Sequence, residues 1–163
     1  MLYNHTISVN SWNKKMATHK CQCSCGHTKF EVIGDPKFRV ICHCTICQKF
    51  NKSSYADILV YKSSQIKAPS AGVVNFNTYK PPPNVKRGQC SQCHQAAIEM
   101  FEMPLFPKLT MVPAQMFDSN VQLPDAKAHL FYEKRIEDAD DDVPKRQGFM
   151  SSQLAFFKNL WFG

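Results

Sequence analysis

Eight cysteines in 163 residues fall in three knots: Cys21, Cys23 and Cys25; Cys42, Cys44 and Cys47; and Cys90 and Cys93. Thiolates at such spacings bind soft metal ions, and spacing alone divides seven of them into two sets. Cys23 and Cys25 stand two apart, so an extended chain points both sulfurs the same way. Cys90-Ser91-Gln92-Cys93 is the tight turn that offers two thiolates to one ion. Together these four close a tetrahedral thiolate site, a staple with no vacant position that contributes folding free energy directly.

The second set, Cys42-His43-Cys44-Thr45-Ile46-Cys47, supplies three ligands and leaves a fourth position open, as working zinc sites do. Three thiolates leave Zn²⁺ a poor Lewis acid, so acidifying water to a pKa near ~7 suits it badly. A thiol substrate suits it better, being soft and already acidic near pKa ~8.5. Closure of the second site by Cys21, His43 or His94 would instead make both ions structural. Iron–sulfur ligation fits the inventory less well, because the spacing splits into two mononuclear sets. A redox dithiol lacks the βαβ context that usually accompanies one. Cys21 stands apart from both sets.

The elements needed to position these residues read as short strands. Phe30 and Val32 alternate before the turn signal Gly34-Asp35-Pro36, and Phe38 to Ile41 leads into Cys42. Further strands are expected over 55–60, 73–79 (stopped by Pro81-Pro82-Pro83), 85–89, 98–103, 110–112 and 128–132, about eight in all. Ser151 or Ser152 would cap a short terminal helix with Leu154, Phe157, Leu160 and Trp161 on one side. The acidic run from Glu137 to Asp142 reads as a solvated loop. The expected organisation is a poorly ordered lead-in over 1–20, a zinc domain over 21–146 and a tail over 147–163.

Composition is ordinary for a globular chain: 44% hydrophobic, 20% charged, ten prolines, six glycines and twelve phenylalanines. That disfavours disorder and leans towards a mainly β body. No apolar run approaches the ~18 residues of a membrane span, and Met1 to Lys20 lacks the apolar centre of a secretory signal. A cytoplasmic protein is therefore expected, and disulfides are disfavoured. Net charge is +7, with +9 in residues 1–110 and −2 in 111–163. The lysines are scattered singly and form no stripe for nucleic acid.

Cys23-Ser24-Cys25-Gly26-His27-Thr28-Lys29-Phe30-Glu31-Val32 resembles the C-x-C-G-x-x-x-F-E-V opening of the glutathione-dependent formaldehyde-activating enzyme (GFA) family, which includes centromere protein V. The Cys42–Cys47 block, the late Cys90–Cys93 pair and the segments His129-Leu130-Phe131-Tyr132 and Asp142-Val143-Pro144-Lys145 are similar to later blocks of that family. His94 departs from it, because a glycine usually follows the late C-x-x-C.

The resemblance implies a single zinc-stapled, β-tent-like domain with two zinc ions. Cys23, Cys25, Cys90 and Cys93 would be structural metal ligands, and Cys42, Cys44 and Cys47 catalytic ones. The implied activity is that of a carbon–sulfur lyase joining glutathione to a small aldehyde such as formaldehyde. His43, His129 and Tyr132 are candidates for the acid that protonates the new alkoxide, and Lys49 and Lys52 for contacts with glutathione carboxylates. The competing reading is a non-catalytic zinc module that binds chromatin or nucleic acid. Homo-oligomerisation through the tail is compatible with either.

Overall fold

The structure is a computed structural model that describes residues 17–80 and 85–163. The first sixteen residues of the expected lead-in and the stop at Pro81-Pro82-Pro83 lie outside the described residues. The chain runs β1 (Thr18–Gln22), β2 (Lys29–Ile33), β3 (Phe38–Cys42), α1 (Thr45–Asn51), β4 (Ala56–Lys62), β5 (Ile66–Lys67), β6 (Val74–Asn77), β7 (Val85–Cys90), β8 (Ala96–Phe101), β9 (Leu109–Pro113), β10 (Ala126–Leu130) and α2 (Gly148–Phe162). The protein is mainly β, with a short C-terminal helix, as the composition and spacing imply.

Two sheets result. One has the order β1-β2-β5 and the other β10-β3-β4-β9-β8-β7-β6. Every pairing is antiparallel except that of β10 with β3. Strand β4 shows why the larger sheet is buried on both faces. Ile58 and Val60 face one core cluster with Phe38, Val40, Ala155 and Leu160, whereas Leu59 and Tyr61 face a second with Phe30, Val32, Val112 and Met116. Alternation at period two divides these four consecutive apolar residues between two cores. The cysteines divide in the same way. Cys42 and Cys47 belong to the first cluster, and Cys23 and Cys90 to the second.

Strands β1 and β5 and helix α1 were not expected, and β1 corrects the poorly ordered lead-in at residues 18–20, which pair with β2. In β1 only Cys21 is buried, so no apolar alternation marks it, and β5 has two residues. Helix α1 has seven residues, too short to display a 3.6-residue period. In α2 the buried residues are Ser152, Ala155 and Leu160; of the expected face, Leu160 is buried and Phe157 packs against the core, whereas Leu154 is 66% and Trp161 58% exposed. The sequence there is apolar nearly all round, so tertiary contacts choose the face. Ser152 Oγ accepts the Phe131 N–H at 2.8 Å, and Phe156 packs edge-on against Phe38. Ser152 therefore lies inside the helix, and Gln147 occupies the N-cap position without a side-chain cap.

Gly88 fixes the approach of β6 to the late hairpin. A Cβ there would lie 2.5 Å from Val74 Cγ1, 2.8 Å from Phe76 Cε1 and 3.1 Å from Ile98 Cγ2, at the point where the β7–β8 register shifts. Gly88→Ala is expected to cost about 1–3 kcal/mol through overpacking. A lower urea midpoint at unchanged m-value would show this, and an unchanged midpoint would refute it.

Candidate metal centres and their surroundings

The late hairpin carries Cys90 at the end of β7 and Cys93 in the following turn. The Cys90 N–H donates to the Gln95 carbonyl, and the His94 N–H donates back to the Cys90 carbonyl. His94 closes this turn with φ 58°, the left-handed conformation that explains why glycine suits the position. The early loop mirrors it: the Cys23 N–H donates to the Thr28 carbonyl, Gly26 turns at φ 71°, and the Thr28 N–H donates to Cys23 Sγ at 3.3 Å.

These two turns bring the four Sγ atoms of Cys23, Cys25, Cys90 and Cys93 within 4.8 Å of one another. Cys23 Sγ is 3.4 Å from Cys25 Sγ and 3.5 Å from Cys90 Sγ, and Cys25 Sγ is 3.7 Å from Cys90 Sγ. Disulfide sulfurs would be about 2.0 Å apart. A tetrahedron of Zn–S bonds near 2.3 Å has sulfur–sulfur edges of about 3.8 Å. The four thiols therefore fit a tetrahedral soft cation. Cys21 is buried outside this group, and burial pushes its thiol up to about 12.

The second set is built by a strand end and a helix start. Cys42 ends β3, and Cys44 occupies the N-cap position of α1, where its Sγ accepts from the Cys47 N–H at 3.4 Å. One helical turn then returns Cys47, so the three sulfurs lie within 4.8 Å of one another. Their hydrogen bonds divide the charge unequally. Contacts from Cys42 and Cys47 hold Cys44 far below the usual thiol range, while contact with Cys44 pushes Cys42 up and contact with Cys42 and Cys44 pushes Cys47 up. Three crowded thiols that can hold little negative charge are suited to a shared cation. No fourth His, Cys, Asp or Glu joins this group among the described residues.

Two residues that sequence reasoning missed lie in the electrostatic field of this set. Arg87 on β7 and Glu99 on β8 are cross-strand partners, with Arg87 Nε 2.8 Å from Glu99 Oε2. Arg87 favours the Cys44 thiolate and Glu99 disfavours that of Cys47. The pair is close but poorly aligned for hydrogen bonding, and Glu99 Oε1 has no partner. Burial raises the Glu99 carboxyl to about 7, against the opposing pull of Arg87. The signal was present in opposite charges flanking the C-x-x-C turn, but pairing them requires the hairpin register with its bulge. Glu99→Gln is expected to destabilise by about 1–3 kcal/mol at neutral pH, because the half-buried Arg87 loses a partner that is itself only partly ionised there. Arg87→Met/Glu99→Leu should recover most of that loss in denaturant melts. A double variant no better than the single one would exclude this account.

A third assembly uses three sequence-predicted residues. His43 Nε2 lies 2.8 Å from His129 Nδ1, and Tyr132 packs edge-on against both rings. His129 Nε2 in turn lies 3.0 Å from Asp141 Oδ2, while Lys145 Nζ is 2.9 Å from Asp141 Oδ1. Lys145 first, and His129 after it, holds Asp141 down to about 2. The acidic run is thus not merely solvated, because Asp141 ties it to a buried histidine. The cause is topological: His129 pairs with Lys145 in a parallel bridge that swings the 137–142 loop back over β10. Lys49 lies in the last turn of α1 and Lys52 at its left-handed C-cap, and neither makes an ion pair among the described residues.

A mainly β body with one four-thiol and one three-thiol cluster defines a cysteine-rich domain whose clusters could each hold a soft metal ion. The family model described as glutathione-dependent formaldehyde-activating enzyme matches residues 18–134, and the chain belongs to that family. No curated protein matches it. Among solved structures it is similar to a crystal structure of a Rhodobacter sphaeroides protein, at 17% identity and a TM-score of 0.49 over 63% of this chain and 90% of that one. Among the described residues no helix is long and apolar enough to cross a membrane.

Proposed function

We propose that the protein is a zinc-dependent carbon–sulfur lyase that activates a thiol, with glutathione as the expected substrate, for addition to a small aldehyde such as formaldehyde. The observation that carries this reading is the unequal division of the seven thiols. Cys23, Cys25, Cys90 and Cys93 supply four donors to one centre, whereas Cys42, Cys44 and Cys47 supply three to the other, with no further donor beside them among the described residues. In this reading the first set holds a structural zinc and the second a catalytic one. Zinc bound by the second set would keep an incoming thiol ionised as its thiolate at neutral pH.

The chain's own residues do the rest. Capping by Cys44 fixes the start of α1, and with it the position of Cys47 relative to Cys42. Arg87 and Glu99 form the charged surroundings of the set from the neighbouring strands. The ionised thiol, its proton released to solvent, attacks the carbonyl carbon; a carbon–sulfur bond forms, the π pair moves to oxygen, and that oxygen takes a proton back from solvent. The reverse sequence releases the aldehyde. Membership in the family supports glutathione and formaldehyde at the level of the family, and the soft three-donor set independently favours a thiol.

Cobalt substitution tests the proposal. Titration of the cobalt-loaded protein with glutathione is expected to change the visible absorption in a saturable way, and Cys44→Ser should abolish that change. A spectrum indifferent to thiols, with both ions fully ligated by protein, would leave only a scaffold.

A further inference from the structure

Helix α2 is held to its own domain along one side. Ser152, Ala155 and Leu160 are buried, and Glu133 Oε2 accepts the Gly148 N–H at 2.7 Å, so the outer side is fixed towards solvent. That side is apolar. Met150, Leu154, the half-buried Phe157 and Trp161 follow at intervals of four, three and four residues, the spacing of a seam between two helices. A solvated surface helix carries polar residues there, yet Lys158 is the only charged residue in all of α2.

The loop before β9 widens the stripe. Phe106 packs against Phe157 with ring centroids 5.6 Å apart, and its neighbour Leu105 is wholly exposed at φ 67°. A leucine in the left-handed region is strained, and here the strain presents an apolar side chain to solvent beside the helix. Leu105, Met150, Leu154, Trp161 and Phe162 are 58–102% exposed and together leave roughly 700 Å² of apolar surface. A monomer's largest patch is usually about 300–600 Å², and each partner in a standard interface supplies about 800 Å².

We propose that α2 pairs with α2 of a second copy of this chain, the two helices antiparallel about a two-fold axis. Two-fold pairing needs a patch that complements itself, and this spacing reads the same in either direction. An axis between Leu154 and Phe157 sets Met150 against the partner's Trp161 and Leu154 against the partner's Phe157. Reversal also sets Lys158 against the partner's Gln153, so no like charges meet, and lays the two helix dipoles antiparallel. A membrane surface fits α2 less well. Interfacial helices are rich in Lys and Arg on the face opposite the apolar one, and here that face packs on protein. The family model matches no further than residue 134, so the pairing belongs to a segment outside the match.

Sedimentation velocity of the metal-loaded protein tests the pairing, and it needs neither thiol nor aldehyde. The parent chain is expected to run as a dimer at about 100 μM. Leu154→Glu, an exposed change, should raise the dissociation constant at least about thirtyfold while leaving the far-ultraviolet circular dichroism unaltered. Met150→Glu and Trp161→Lys should each weaken the dimer to a similar degree. Both changes in one chain should recover at least about tenfold of that loss, because antiparallel packing sets each glutamate against the partner's lysine and parallel packing does not. A parent chain that stays monomeric would overturn the proposal, whether residues 1–16 then cover the stripe or it binds phosphatidylcholine–phosphatidylglycerol vesicles. A dimer indifferent to Leu154→Glu would place its interface elsewhere, and no recovery in the double variant would overturn the antiparallel register.

Discussion

Cys90→Ser is expected to leave the chain unfolded, or melting far below the parent protein, and a strong chelator should do the same to the parent. Cys90 is 0% exposed and joins the early and late turns through sulfur contacts of 3.5 and 3.7 Å. A structural zinc contributes about 10–16 kcal/mol in small domains, and whole domains are stable by only about 5–15 kcal/mol. Losing the staple therefore removes a quantity comparable to the entire net stability. Cys21→Ser is the matched control, since Cys21 is equally buried but lies outside the cluster. It should cost only about 1–3 kcal/mol, the penalty of a buried hydroxyl without a partner. Circular-dichroism melts with parallel metal analysis decide between the two outcomes. Equal destabilisation by both substitutions would mean that the four thiols carry no structural ion.

Cys44→Ser should separate activity from folding. The variant is expected to keep its secondary structure and one metal equivalent, and to lose thiol-dependent turnover by at least about a hundredfold. Groups that merely orient metal ligands already cost 10–100-fold when removed, so removal of a ligand sets a higher floor. Folding should survive because the N-cap geometry accepts serine, whose hydroxyl can take the Cys47 N–H in place of the sulfur. Turnover within about threefold of the parent protein would remove the second set from the mechanism, whatever its metal content.

Much of this architecture was legible in the chain itself. The two cysteine sets follow from i, i+2 and C-x-x-C spacings, which are local consequences of strand and turn geometry. Most strands were visible because both faces of the larger sheet are buried, leaving apolar runs such as Ile58-Leu59-Val60 between turn signals. The elements that were missed lacked that signature. Strand β1 buries one side chain, α1 has fewer than two full turns, and the face of α2 is selected by Phe38 and by Ser152's bond to Phe131 rather than by its own pattern.

The sequence determined which thiols act together within each knot, because ligand spacing within a turn or a strand end is set by backbone geometry over a few residues, whereas the meeting of Cys23 and Cys25 with Cys90 is a tertiary contact. Only the tertiary structure decided what surrounds them. The Arg87–Glu99 pair needs the β7–β8 register, and the His43–His129–Asp141 chain needs β10 to pair in parallel with β3 and the closing segment to fold back beside it. Partners 12 to 86 residues apart meet through pairings that close long loops, and no local pattern of residue types encodes which such closure will occur.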